Sequence, residues 1–385
     1  MKNNQKGLNN LTGLIPILYA ALQTVSRELV GFIPATSMNM TADGAALNQI
    51  IRVPVVPESE NQDITPGTPP KNGGDNMGTV DMAITKNRIA RPIVWNGDEE
   101  IAVGSQLNQM MVNQYAQAMR SLANEVERDV CLEGAIGAAQ AGNIYGTSGK
   151  TPFIGATNLA DLANLKKVQD DLGTPRGDRH LVINTATGAA MRSMNHLTSA
   201  SHAGDDGMLR RGILGDLMGY AIRESGGFVP VNPGGATEIE LNANAAKGAD
   251  TIAVDALSGD LNIGAIFKLG DNYYALTAPA LTGATSISFS PKLKADVASG
   301  ERGTVLSTYL PNVAFSRDFI YLATRTPAMP SQGDDAKDVM EITDYVSGLS
   351  FQVALYGDYR QTRIEIGLAW GVKAVNSRHG VLLLG

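Results

Sequence analysis

The chain is poor in the features that secreted mini-proteins, membrane proteins and most enzymes rely on. It holds one cysteine, Cys131, in 385 residues. No internal disulfide can form, so the fold rests on packing and suits a reducing compartment. Aromatic residues make up 5% and charged residues 18%, against 43% apolar residues. That balance describes an Ala/Gly-rich globular chain long enough for two to three compact units, and excludes a disordered one. No run approaches the ~18 consecutive apolar residues of a membrane-spanning helix. An excess of basic residues is lacking too. With a net charge of −7, the chain is a poor general nucleic-acid binder, because phosphate contacts need Lys/Arg clusters.

Recognisable catalytic chemistry is equally scarce. The four histidines, His180, His196, His202 and His379, show no metal-ligand spacing. There is no nucleophile elbow, dinucleotide fingerprint or calcium loop. Gly146-Thr147-Ser148-Gly149-Lys150-Thr151 resembles a phosphate-binding loop only in part. Ile144 stands where the first glycine is required, and the segment follows a helix instead of a strand, so it reads as a helix-exit loop. Asp334-Asp335-Ala336-Lys337-Asp338 reads as a solvated loop, and His180 as a structural residue before a buried strand. No catalytic residue, cofactor site or metal site is expected.

What the sequence does contain is extended limbs and one long helix. Leu8, Leu11, Ile15, Leu18, Leu22, Val25 and Leu29 recur at three- or four-residue spacing. That is an amphipathic helix, not the uniformly apolar core of a signal peptide, with Pro16 placed in its first turn. Ile50–Val56 and Val80–Thr85 read as strands. The polar, Pro/Gly-rich stretch Pro57–Gly78 between them is too long for a connector inside a compact body. A two-stranded arm of this kind is marginal alone and needs another surface to lie on, naturally a neighbouring subunit. Residues 105–141 give the strongest helical signal: Leu107, Met111, Tyr115, Met119, Leu122, Val126 and Val130 form one stripe. Glu125, Glu127, Arg128 and Asp129 mark a wet face opposite. Such a helix runs about 50 Å, a spine for whatever surrounds it.

An α/β stretch follows, with a helix at Leu159–Leu172, a buried strand at His180–Asn184, a helix through Met194 and a mobile Gly/Asp-rich segment at 199–219. From Val231 to about Leu310 the pattern turns all-β. Candidate strands lie at 251–254, 265–269, 273–277, 286–289 and 304–306, which suggests an inserted small barrel or sandwich. Leu349, Phe351, Val353 and Leu355, then Ile364, Ile366, Leu368 and Trp370, alternate as a hairpin with one wet face carrying Arg363 and Glu365, its turn at Tyr356–Tyr359.

This order resembles the Hong Kong 97-type phage capsid fold, and more closely the P-twenty-two-type coat proteins that carry an inserted β domain. The resemblance rests on Leu14–Met38 leading through Phe32-Ile33-Pro34-Ala35-Thr36, on Tyr115-Ala116-Gln117 to Asn124-Glu125-Val126-Glu127, and on Gly348–Gly357 followed by Ile364–Val372. It implies an α+β fold with an N-arm (1–40), an E-loop hairpin arm (41–98), a P-domain with the spine helix (99–147), the α/β part of an A-domain (148–231), an inserted small all-β domain (232–310) and a return to the A-domain and P-domain sheet (311–385). It also implies a non-enzymatic major capsid protein located in the virion and assembled in the host bacterial cytoplasm. Copies would form pentamers and hexamers of an icosahedral head enclosing double-stranded DNA without sequence-specific binding. Partners would be a scaffolding protein, a portal and a decoration protein, with no membrane. The candidate interface residues are Leu14, Leu18 and Leu22 on the N-helix, and Val53, Val55, Met82 and Ile84 on the hairpin. Three rivals remain: an encapsulin-type compartment, against which the β insertion argues; an enzyme with an appended β module, which needs a convergent titratable cluster; and a fibre or adhesin, disfavoured by the absence of repeats.

Overall fold

A computed structural model describes residues 11–25, 30–40, 44–56, 61, 63–64, 66–67, 78–156, 158–194, 197, 214–330, 334–344 and 347–385. The fold is α+β, arranged along one helix. Helix α1 is Leu11–Val25, α2 is Gly97–Val103, α3 is Leu107–Gln140, α4 is Ala160–Asp171 and α5 is Thr185–Arg192. The spine helix α3 spans 34 residues, or about 51 Å at the α-helical rise. Its buried residues are the expected stripe, from Met111 through Val130, continued by Gly134, Ala135, Gly137 and Ala138. The glycines matter for contact. A Cβ on Gly137 would lie 2.4 Å from Cβ of Ala374, and one on Gly134 would lie 2.8 Å from Cδ1 of Ile320. Two strands therefore come closer to the helix axis there than any side chain would allow.

Three sheets surround α3. In the first, strands Ser37–Met40, Ile320–Arg325, Gln361–Ala374, Ser350–Asp358 and Ala336–Thr343 lie side by side, while Lys86–Ile89 and Ile93–Asn96 also pair with Gln361–Ala374. The second orders Ile144–Gly146, Gly380–Leu384, Pro311–Ser316, Arg179–Asn184, Tyr220–Ser225 and Asp216–Leu217. The third contains only strands between Glu238 and Val305. It has its own core, in which Phe267, Tyr274 and Phe289 pack as a triad with ring centroids 5.3–5.6 Å apart. Its inner neighbours Ile266 and Ala275 join the main core instead.

Several local expectations shift. Asp334–Asp338 is not a solvated loop throughout: the edge strand Ala336–Thr343 begins inside it, and Asp334 accepts a hydrogen bond from the Tyr356 hydroxyl at 2.8 Å. The C-terminal hairpin turns at Tyr359–Arg360, because Asp358 still pairs with Gln361. Its wet face is lost from Gly367 onward, where Gly367, Ala369 and Gly371 are buried as well as Leu368 and Trp370. There the other side of the strand is covered by the Lys86–Ile89 region and by the root of the hairpin arm. Of the segment read as mobile, 199–213 lies outside the described residues, whereas Asp216–Leu217 pairs with Tyr220–Ala221. Pro16 lies in the second turn of α1 and not the first, where its missing N–H forfeits one intrahelical bond. Leu8, Leu29, His196 and His202 lie outside the described residues.

Helix α1 packs along α3, and Leu14, Leu18 and Leu22 are buried in the chain's own main core. This corrects the expectation that the N-terminal limb finds its burial only on another copy: side chains with no exposed surface hold the monomer together. Leu18→Ala is therefore expected to lower the stability of the isolated chain by about 3 kcal/mol, the usual cost of a leucine-sized cavity. Urea unfolding of the unassembled protein measures it.

Candidate self-assembly surface

The limbs are anchored before they can present anything outward. Glu127, on α3, is 2% exposed, so the wet face assigned to it from the sequence is wrong. Its Oε1 accepts the backbone N–H groups of Gly31 and Phe32, both at 2.7 Å, and the Ser225 hydroxyl at 2.7 Å, while Oε2 accepts the N–H of Ile33 at 3.0 Å. One carboxylate thus binds the N-terminal strap to the spine and to the end of the Tyr220–Ser225 strand. Burial pushes its pKa above the usual carboxylate range, and the four donors pull against that shift. The site also demands small neighbours, since a Cβ on Gly227 would meet Cγ of Glu127 at 2.8 Å. The sequence held one signal for this: Ala123, Glu127, Cys131 and Ala135 recur at four-residue spacing, and the other three are buried apolar residues.

The neighbouring carboxylates bind other elements. Lys86 reaches Glu125 and Asp129, both at 2.9 Å, and lies 5.8 Å from the Trp370 ring centroid. Asp129 also accepts the Trp370 indole N–H at 2.8 Å. Burial works to lower the Lys86 pKa, but its hydrogen bonds to Asp129 and Glu125 more than offset this and hold it above the ordinary lysine value. Glu133 accepts the N–H of Ala374 at 3.2 Å and faces Lys373 at 3.4 Å.

From this base projects the hairpin arm, Ile50–Val55 paired with Gly78–Ala83. Its register places Ile51 opposite Met82 and Val53 opposite Val80 on one face, while Arg52 and Asp81 face each other at 3.6 Å on the other. At the root, Val53, Met82 and Ile84 are buried against Ala45, Ala323 and Ala369 of the same chain. Further out the apolar stripe loses cover, with Val55 and Val80 half-buried; past the paired strands, Val56 is 75% exposed and Ile64 is 97% exposed. Of the seven residues proposed from the sequence, six are core positions and only Val55 lies where a neighbour could reach it. The residues missed are Val56, just past the strand Ile50–Val55, and Ile64 further on; both fall outside the alternation that marks the stripe, so no periodic signal pointed to them.

On the opposite side of the Gln361–Ala374 strand a groove of about 920 Å³ runs beside α3, between Ala90, Pro92 and Val94 on one wall and Gln117, Ala118 and Ser121 on the other, with Arg91 and Arg363 in its lining. It offers apolar area and side-chain hydrogen bonds to an extended segment.

Among the described residues, the histidines are placed in structural contacts. His180 lies within the strand Arg179–Asn184, buried, with Nε2 2.9 Å from Asp178. Asp318 stands between Ser316 and His379, with His379 Nδ1 at 2.7 Å. The Ser316 hydroxyl therefore points at a carboxylate and not at an imidazole base, unlike a nucleophile–base pair. Among the described residues no cluster of three or more His, Cys, Asp or Glu could hold a metal, and no helix is long and apolar enough to cross a membrane.

Solved structures similar to the chain include two phage capsids and a virus-like particle. A capsid structure of the cyanophage P-SCSP1u aligns at TM-score 0.47 with 12% identity, covering 91% of this chain and 86% of that one. The mature capsid of bacteriophage PhiM1 aligns at TM-score 0.47 with 12% identity, covering 92% and 86%. A virus-like particle from Pyrococcus furiosus aligns at TM-score 0.43 with 10% identity, covering 96% and 98%. Neither a protein-family model nor a curated protein matches the sequence.

Two outcomes follow from the anchors. Glu127→Ala leaves three backbone donors buried without an acceptor and is expected to cost about 3 kcal/mol or more; Glu127→Gln, which turns an N–H₂ toward one of those donors, is expected to cost less but remain destabilising. Denaturant midpoints of both variants decide it. For His180, burial lowers the pKa from 6.5, helped by Arg223 and Arg317 and opposed by Asp178. The unfolded state then binds a proton that the folded state refuses, so stability falls as pH drops below 6.5. His180→Gln is expected to flatten that decline between pH 6.5 and 5, read from the same midpoints.

Proposed function

We propose that this chain is a major capsid protein that assembles, without enzymatic activity, into a closed icosahedral shell around double-stranded DNA. The observation that carries the reading is the hairpin arm, whose apolar stripe is buried in the chain's own core at Val53 and Met82 and only half-covered, among the described residues, further out at Val55 and Val80. An exposed continuation of a buried stripe costs solvation in a lone monomer, and burial on a second copy relieves it. The groove beside α3 is the surface we assign to receive a neighbour's arm. Each copy then gives an arm and receives one, a heterologous contact that closes into rings such as pentamers and hexamers.

The acidic net charge fits this role, since a wall of like sign does not bind the DNA packed against it. The segmentation proposed from sequence, with an N-arm, E-loop, spine-bearing P-domain, A-domain and β insertion, is the organisation we assign. A scaffolding protein, a portal and a decoration protein are its expected partners, and the virion, assembled in the bacterial cytoplasm, its expected location. Modest contacts repeated many times per shell give a stable whole while leaving each step reversible.

Deleting residues 58–78 should abolish closed particles while circular dichroism stays that of the parent, and Val56→Asp with Ile64→Asp should reduce particle yield in the same direction. Unaltered particles by negative-stain microscopy would remove the arm from assembly. Nuclease-protected double-stranded DNA inside particles purified from infected or induced cells separates a phage head from a protein compartment.

A further inference from the structure

The inserted β domain repeats itself. Its strands come in two sets of three: Glu238–Glu240, Thr251–Ala253 and Ile266–Leu269, then Asn272–Leu276, Ser286–Ser290 and Arg302–Val305. The sequences of the two sets run in step. Gly248-Ala249-Asp250-Thr251-Ile252 reads against Gly283-Ala284-Thr285-Ser286-Ile287, and Asp260-Leu261 against Asp296-Val297. Gly248 and Gly283 hold φ at +91° and +82°, and Gly264 and Gly300 at +78° and +84°, left-handed turns at matching places. The second set has one residue more between Phe289 and Leu293 than the first has between Val254 and Leu257. That shift breaks any single period, so the sequence by itself shows no repeat.

The contacts between the sets are reciprocal. At the seam Ile252 lies opposite Ile287, flanked by Thr251 opposite Ser288 and Ala253 opposite Ser286. The Val254 N–H donates to the Thr285 carbonyl and the Phe289 N–H to the Asp250 carbonyl, both at 2.9 Å. The Asp260 carboxylate accepts the N–H of Thr282, and the Asp296 carboxylate that of Lys247, both at 2.7 Å. Leu261 bridges to Ala280 as Val297 does to Ala245, and Ile239 pairs with Gly303 as Tyr274 pairs with Phe267. In each case residue and partner exchange roles, as they do across a twofold interface between identical pieces.

We infer that the inserted domain is an internal homodimer: two copies of one three-stranded unit, joined by the turn at Gly270-Asp271, each having the other as its partner surface. Neither unit satisfies its own backbone. Ile266–Leu269 lies between Arg302–Val305 and Asn272–Leu276, both of the other unit, and Arg302–Val305 lies between Glu238–Glu240 and Ile266–Leu269. Apart, these strands would leave their N–H and C=O groups unpaired. The units differ where their surroundings differ. Ile266 and Ala275 face each other and are buried in the main core, whereas the equivalent pair, Arg302 and Glu240, is an exposed ion pair at 2.9 Å. One of two equivalent faces seats the insert on the body and the other stays in water. The inference does not depend on how the whole chain assembles.

The full-length chain tests it with residues 276–288 replaced by a copy of 241–253, so that both units carry the same central segment while Phe289 stays. A control carries the copied segment in reverse order. Thermolysin cleavage inside 238–305, located by mass spectrometry, follows opening of the insert, and circular dichroism follows the body. The copy should be cut within about threefold of the parent rate, as exchanges that keep the core are. The reversed segment should be cut about a hundredfold faster, since it removes Leu276 and Ile287 from the core. Asp260→Ala and Asp296→Ala, halves of one reciprocal clamp, should each speed cleavage about fivefold. A copy cut at the rate of the reversed control overturns the inference, and so does an effect from only one of the two aspartates.

Discussion

A single buried carboxylate holds the front of this molecule to its middle. Glu127 takes three backbone N–H groups of the N-terminal strap and one hydroxyl from the second sheet, with no cation among those partners. A backbone turn that enters a core carries donors it cannot satisfy itself. Supplying one acceptor for three of them fixes the path of the chain from α1 to the strand Ser37–Met40, and that strand then pairs in parallel with Ile320–Arg325. Strap, spine and second sheet converge on one residue, so its loss has no local substitute.

The same logic repeats along α3. Glu125, Asp129 and Glu133 hold the strands Lys86–Ile89 and Gln361–Ala374 between them, and only part of what they hold is an ion pair. Asp129 binds the indole of a fully buried tryptophan, and Glu133 binds a strand backbone N–H. Exposed ion pairs contribute little by themselves. Here the carboxylates are half-buried and accept hydrogen bonds whose donors would otherwise lose solvation, which is where such groups have their largest effect. The acidic face of the helix positions the strands against it, and those strands carry the hairpin arm and the Tyr359–Arg360 tip.

With the body so anchored, the limbs can be both rooted and incomplete. The arm is not a free ribbon seeking any surface. Val53 and Met82 fix its base on the chain's own sheet, so its outer half leaves at a defined place and direction. A rooted arm lowers the ordering cost when a second surface covers the rest.

Sequence by itself determined the long helix, the paired strands of the arm and of the C-terminal hairpin, and the all-β stretch, because each is written in a local period of apolar residues. It also determined the absence of recognisable catalytic motifs. It did not separate buried from exposed charge: Glu127 and Glu125 look alike in a string of letters, and only the closeness of Gly31–Ile33 and Ser225, some hundred residues away on either side, makes one of them an anchor. Nor could it divide Val53 from Val55, since alternation says which face is apolar and not how far along that face the body extends. Short strands flanked by partners distant in sequence, such as Pro311–Ser316 and Gly380–Leu384, likewise carry little local signal. Their apolar runs are buried on both faces, and their place is set by non-local pairing that exists only once the chain has folded.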